Sequence, residues 1–288
     1  MIIFHASHLL GNQIFQYCFV NTVSKKDEKI FLIGMNHISK NFNVKNKNIY
    51  FLEINLLLKI LIKIFFPILK FLSILHLIHF YKEQYDKDGI PIDNIYYSSG
   101  IFPIKLVETG FFQNVNLIDL NFINHLEIKK EIKNKANQLI LEIPKGFEPV
   151  FVHIRRGDYL KEYFQDIRGI NLPITYYYDG IKEIEKNKLN NFFIFLSDDI
   201  KFVKENFNNI KNKYISENSY IVDFALISLC NYGVVSNSTF SWTASSFIKS
   251  KKKIIFPEYW LGWKKSISSH PHIYPNWANI ISVNNNKK

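Results

Sequence analysis

The chain has 288 residues, 47% of them hydrophobic and 21% charged, which excludes a disordered polymer and supplies a core for one large domain or two smaller ones. A formal net charge of +11 keeps nucleic acid, phosphorylated substrates and acidic membranes open as partners, although the basic residues are dispersed rather than clustered. Cys18 and Cys230 are the only cysteines, so no disulfide framework or zinc-ligand spacing can be built, as fits a reducing compartment.

The start, MIIFHASHLLGNQ, lacks a basic leading region, and no signal peptide is expected. Ile2 to Ala6 predicts a strand, Gly11-Asn12-Gln13 a turn that lets a ligand approach the backbone, and Asn12 to Ser24 a helix. KIFLIG (Lys29 to Gly34) predicts a second strand, completing the opening unit of a doubly wound sheet. Ile54 to Tyr81, INLLLKILIKIFFPILKFLSILHLIHFY, is the most apolar stretch. Lys59, Lys63 and Lys70 interrupt it along one helical stripe, and Pro67 should kink it. Each lysine costs roughly 2.5–3.5 kcal/mol at a bilayer centre, so a kinked amphipathic helix pair is expected there rather than a membrane span. Such a pair either covers the core of its own domain or lies on an anionic bilayer. YDKDGIPIDN and SSGIFPI read as loops, and a helical pattern then runs to Pro144-Lys145-Gly146, the expected boundary between residues 1–145 and 146–288.

The second half alternates strand and helix more regularly. PVFVHI predicts a strand, Thr175 caps a helix to about Lys186, and NFFIFLSDD predicts a buried strand ending in two aspartates. IKFVKENF reads as a helix, Asp223 opens another through DFALISLC, and YGVVSNS is a strand ending in small polar residues. TFSWTASSFIKS is a helix and KKIIFP the final strand. Polar clusters at strand C-termini mark the crevice where open α/β sheets bind ligands. The expected class is α/β, with two doubly wound domains and a cleft between them.

Three clusters carry candidate chemistry. His153, Arg155, Arg156 and Asp158 share one strand exit, where alternation lets one arginine reach a ligand while the other braces the loop. A guanidinium suits phosphate because its planar fork donates two parallel hydrogen bonds and stays charged at any working pH. An Arg–Asp brace without ligand is the plainer reading. Ser236, Asn237, Ser238 and Thr239 precede a helix that begins near Phe240, where hydroxyls and free N–H groups seat a phosphate or simply cap the helix. Asp198 and Asp199 read either as helix caps or as magnesium ligands; the arginines already neutralise an anion, so no metal is expected. The fingerprints of dinucleotide folds, phosphate loops, hydrolase elbows and HExxH metalloproteases are all absent.

GNQIFQY (Gly11 to Tyr17), HIRRGDY (His153 to Tyr159), FLSDDIKFVKENF (Phe195 to Phe207) and DFALISLCNYGVVSNSTFSW (Asp223 to Trp242), in this order, resemble the α-1,2-fucosyltransferases of glycosyltransferase family 11. The resemblance implies a GT-B type fold of two Rossmann-like domains, a GDP-β-L-fucose donor, inversion at the anomeric carbon and no metal. It implies that Arg155 holds the donor diphosphate and that His153 approaches the ribose or guanine. Ser238, Thr239 and Phe240 would wrap the nucleotide, with Arg156, Asp198, Asp199 and Asp223 also on the donor side. Asn12 and Gln13 fall at acceptor positions, and Asn12, with Asp158 as one candidate base, lies near the reacting centre. The acceptor implied is a galactose-terminated oligosaccharide or glycolipid. A cytoplasmic enzyme with peripheral contact to the inner face of the plasma membrane is expected. The rivals are a transferase with another donor or linkage and a basic nucleic-acid- or membrane-binding protein without catalysis; no nucleic-acid module is recognisable, so no nucleic-acid partner is expected.

Overall fold

The computed structural model describes residues 1–283 and divides into two compact units, Met1–Glu127 and Ile128–Lys288. The division falls earlier than Pro144–Gly146. The reason is that α4 (Lys130–Leu141), which sequence reading attached to the first half, buries Ile132 and Ala136 and packs on α7 (Tyr220–Leu229) of the second unit.

The first unit is built on a six-stranded sheet. Its strands are β1 (Ile2–His5), β2 (Ile30–Ile33), β4 (Ile49–Leu52), β5 (Ile78–Tyr85), β6 (Pro91–Ser98) and β7 (Phe102–Val107), in the order β4-β2-β1-β7-β5-β6. All neighbours are parallel except the β5–β6 hairpin at one edge. A short β3 (Phe42–Val44) follows α2 (Asn36–Asn41), and β8 (Leu126–Ile128) lies at the boundary. Strand alternation buries Ile2 and Phe4 on the face covered by α1 (Leu10–Thr22), where Phe112 stacks on Phe19 and meets Phe4 at a tilt. The opposite face is covered by α3 (Leu56–Ile74), whose Phe66, Leu69 and Leu72 pack on Ile78, Phe80 and Leu106.

Three expectations change here. Gly11-Asn12-Gln13 is not a turn but the first turn of α1; the true turn is Ala6 to Leu9, with His8 at φ 65°. The apolar stretch forms one helix, not a kinked pair: Pro67 is exposed, so the carbonyl it deprives of a donor faces outward, and residues from Ile78 onward are strand. YDKDGIPIDN and SSGIFPI are a β-hairpin and the strand after it rather than loops, the hairpin turning where Asp86 accepts from the Asp88 and Ile90 N–H groups.

The second unit is a six-stranded sheet with every neighbouring pair parallel. Its strands are β9 (Glu148–Ile154), β12 (Asn191–Ser197), β13 (Lys213–Ile215), β14 (Tyr232–Val234), β15 (Lys253–Pro257) and β16 (Ala278–Ile281), in the order β13-β12-β9-β14-β15-β16; β10 (Tyr163–Phe164) and β11 (Ile167–Arg168) form a separate small ribbon. On one face Val150, Val152 and Ile154 pack with residues of α5 (Ile174–Glu185) and α6 (Ile200–Asn206). His153 looks to the other face, toward Phe240 on α8 (Thr239–Ser246). Two details depart from expectation. Helix α5 starts at Ile174 behind Pro173, without a side-chain cap from Thr175, and β16 adds an edge strand beyond KKIIFP. Helix α7 likewise begins at Tyr220, placing Asp223 inside its first turn.

Candidate functional site

Chain order in the second sheet runs from β9 outward through β12 and β13, then returns to the other side of β9 with β14. The order therefore reverses between β9 and β14, and ligands of open α/β sheets bind outside the carboxyl ends of strands at such a point. Arg155 leaves β9 there and Ser236 to Thr239 leave β14 there. Sequence-remote segments are brought together: Arg155 donates its backbone N–H to Ser236 Oγ at 3.3 Å.

Arg155 is held by two carboxylates. Its Nη2 lies 2.8 Å from Asp158 Oδ1 and its Nη1 3.0 Å from Asp198 Oδ2, with Tyr159 beneath the guanidinium. Burial disfavours the charged form, but Asp198 and then Asp158 outweigh it and raise its pKa. Arg156 turns to α6 instead: Nε donates to Asp199 Oδ2 at 3.1 Å and the guanidinium stacks 3.6 Å from the Phe202 ring centre. The two arginines therefore turn to different partners, Arg155 to Asp158 and Asp198 and Arg156 to Asp199 and Phe202. Asp199 caps α6 by accepting from the Phe202 N–H, while Asp198 accepts from the Arg156 N–H at 2.8 Å. Gly157 makes room for this arrangement, since a Cβ there would lie 2.7 Å from Asp198 Oδ2.

His153 is buried, and its Nδ1 has no hydrogen-bond partner among the described residues. Burial, reinforced by Arg155, pushes its pKa down to about 3, so the imidazole is neutral at physiological pH and carries an unused polar atom beside Phe240. Ser238 Oγ caps α8 by accepting from the Phe240 N–H, and the Thr239 hydroxyl makes no hydrogen bond among the described residues. Ser236 and Asn237 are used internally: the Ser236 hydroxyl bonds Tyr177 and Asn237, and Asn237 Nδ2 donates to the Ile170 carbonyl. Asp223, on α7, forms no ion pair with either arginine among the described residues. It accepts from Ser216 Oγ, and burial raises its pKa to about 6. Sequence reading missed Tyr177 and the contacts of Tyr159, whose hydroxyl donates to the Asn237 carbonyl. The three consecutive tyrosines at 176–178 are a signal that could have pointed to Tyr177.

The first unit has its own reversal, between β1 and β7. There Gln16 Nε2 donates to the Gly110 carbonyl, His8 stacks on Phe111, and Gln113 donates to Asn12 Oδ1 at 3.0 Å. Gln13 is buried and spends its amide on the His8 and Gly34 carbonyls and the His37 N–H. It fixes the strand–helix turn and leaves Asn12, half-buried, as the polar residue of that pair that reaches the rim. Gln16, the second glutamine of GNQIFQY, does the same bracing and was not anticipated. Among the described residues no group of three or more metal-ligating side chains assembles.

The pattern of Glycosyl transferase family 11 matches residues 2–280. The chain is 30% identical over 163 residues to O-antigen biosynthesis glycosyltransferase WbnK of Escherichia coli, covering 52% of this chain and 54% of that protein. It is 35% identical over 146 residues to an alpha-1,2-colitosyltransferase of the same organism, covering 46% and 48%. The chain thus matches about half the length of these curated relatives. Among solved structures, NodZ alpha-1,6-fucosyltransferase soaked with GDP-fucose has a TM-score of 0.51 at 10% identity, covering 86% of this chain and 92% of that one, a likeness of fold alone. Two Rossmann-like α/β units make this a GT-B type fold. With a family pattern that runs through both sheets and every motif singled out above, the chain belongs to glycosyl transferase family 11.

Proposed function

We propose that the chain is an inverting glycosyltransferase that moves L-fucose from GDP-β-L-fucose to the 2-OH of a galactose-terminated oligosaccharide or glycolipid. The observation that carries the reading is Arg155 at the sheet's reversal point, its backbone N–H on Ser236 just ahead of α8 and its charge acting on a neutral His153 with an unused ring nitrogen. In this reading the acceptor oxygen attacks the fucosyl C1 from the face opposite the nucleotide. The C1–O bond to the β-phosphate breaks, and GDP leaves with the electron pair. Arg155 neutralises the charge that develops on the leaving phosphate, a form of preorganised stabilisation that is often the largest catalytic contribution.

Before the donor binds, Arg155 is committed to Asp158 and Asp198. Asp198 is tied down by the Arg156 N–H, whereas Asp158 is half exposed on a single 3-10 turn, so Asp158 is the carboxylate that yields to the diphosphate. Once released it is the candidate base for the acceptor hydroxyl proton. Thr239 and the α8 N–H groups complete the phosphate seat, His153 faces the nucleoside side, and Asn12 is the acceptor-side residue. A second reading keeps this machinery and changes the sugar to colitose, favoured by the colitosyltransferase relative. A screen of GDP- and UDP-sugars against galactose-terminated acceptors, with linkage read by NMR, separates the two. Transfer from GDP-fucose that persists in EDTA is the expected result; transfer from no GDP-sugar would sink both readings.

A further inference from the structure

We propose that the outward face of α3 is a docking surface for an anionic lipid bilayer, on which the helix lies flat. The inner side of α3 is committed to its own sheet, through Phe66, Leu69 and Leu72. On the outer side Leu57, Ile60, Ile64, Ile68, Phe71 and Leu75 are all exposed, at 47–65% of their surface, and at ~100° per residue they fall within half a turn of one another. Past the helix end the strip continues into Ile101 and Phe102, which are tied to it by backbone bonds to the His76 and Leu77 carbonyls and are also exposed. So continuous an apolar surface marks a place where something binds.

Its chemistry selects the occupant. Lys59, Lys63 and Lys70 line one rim between the exposed strip and the sheet side, and no carboxylate lies on Leu56–Ile74. Lys70 pairs with Glu108, while Lys59 and Lys63 make no ion pair among the described residues. A second copy of this helix would bring cations and no carboxylate to the contact, whereas lipid phosphates neutralise lysine heads that snorkel from an apolar face. No described helix is long and apolar enough to cross a membrane, which leaves the interfacial orientation.

The test is flotation of the full chain with phosphatidylcholine vesicles, with and without phosphatidylglycerol. The wild type should bind the anionic vesicles and release at high salt. Leu57→Gln, Ile64→Gln and Phe71→Gln should each cost about tenfold or more in partitioning. Lys59→Gln and Lys63→Gln should each cost about fivefold on anionic vesicles alone. These side chains are exposed, so circular dichroism and transfer to a soluble acceptor should match wild type, which separates this inference from the reading of the Arg155 site. A wild type that ignores phosphatidylglycerol vesicles, or a triple glutamine variant that binds them equally, overturns the proposal. So does a concentration-dependent dimer abolished by the triple variant without vesicle binding, because the occupant is then a second copy.

Discussion

Arg155 and Arg156 are neighbours with the same side chain, yet their surroundings give them different tasks. Arg155→Lys keeps the charge and loses the planar fork that grips Asp158 and Asp198 and, in the proposed reaction, the diphosphate. Transfer should fall by about 10²–10³ in kcat with the fold intact, measured by steady-state kinetics beside thermal unfolding. Arg156→Ala removes a stacked pair that only braces α6, so it should cost ~1–2 kcal/mol of stability while kcat stays within a few-fold of wild type. Asp223 gives a pH signature. Its folded pKa of about 6 lies above the usual carboxylate value because burial penalises the charge. The folded state then binds more protons than the unfolded one between about pH 4 and pH 6, so this group's contribution declines as pH rises through that window and stays unfavourable above it. Asp223→Asn should accordingly be more stable than wild type at pH 7, by ~1–3 kcal/mol, and indistinguishable from it at pH 4. Unfolding midpoints in urea at the two pH values decide the matter.

At the level of elements, the legible parts were those whose local pattern and tertiary role agree. β9, β12 and β14 are apolar runs that stop at polar residues, and their exits hold the candidate site. Helix α6 was readable because Asp199 is its side-chain cap. The β5–β6 hairpin was hidden because the apolar run of α3 passes into β5 with only the His76 turn, at φ 54°, between them. The start of α1 was misplaced because Leu9, its cap residue, has no side-chain acceptor to announce it. The arginine brace could be anticipated from alternation; the commitment of Gln13 to bracing could not, since its partners Gly34 and His37 become neighbours only when the chain folds back. The pattern around Gly233 also depends on tertiary packing. A Cβ there would sit 2.0 Å from the Phe151 ring on the adjacent strand β9, with no room on a fully buried sheet. Gly233→Ala should therefore destabilise the second unit by ~1–3 kcal/mol or more and broaden its unfolding transition, as seen by calorimetry.

For the whole molecule, two buried histidines contribute strongly to the acid limb of stability. His153 and His270 have folded pKa values of about 3 and about 4, both lowered by burial, the former also by Arg155. Below about pH 6.5 the unfolded chain takes up protons that the folded chain refuses, so their contribution is lost as pH falls from there toward 4. Asp223 opposes this in part, while burial also lowers His5, His37 and His79, so the histidines leave a net loss of stability on acidification. The neutrality of His153 also means that the pH profile of transfer should show no limb at the ordinary histidine value from this residue. The central claim is that Arg155 exchanges a carboxylate for the donor's diphosphate. A crystal structure of the chain with GDP tests it most directly. With GDP bound, the Arg155 guanidinium should lie on the β-phosphate, with Asp198 still on the Arg156 N–H and Asp158 swung free. GDP bound elsewhere, with Arg155 still clasped by both aspartates, would contradict it.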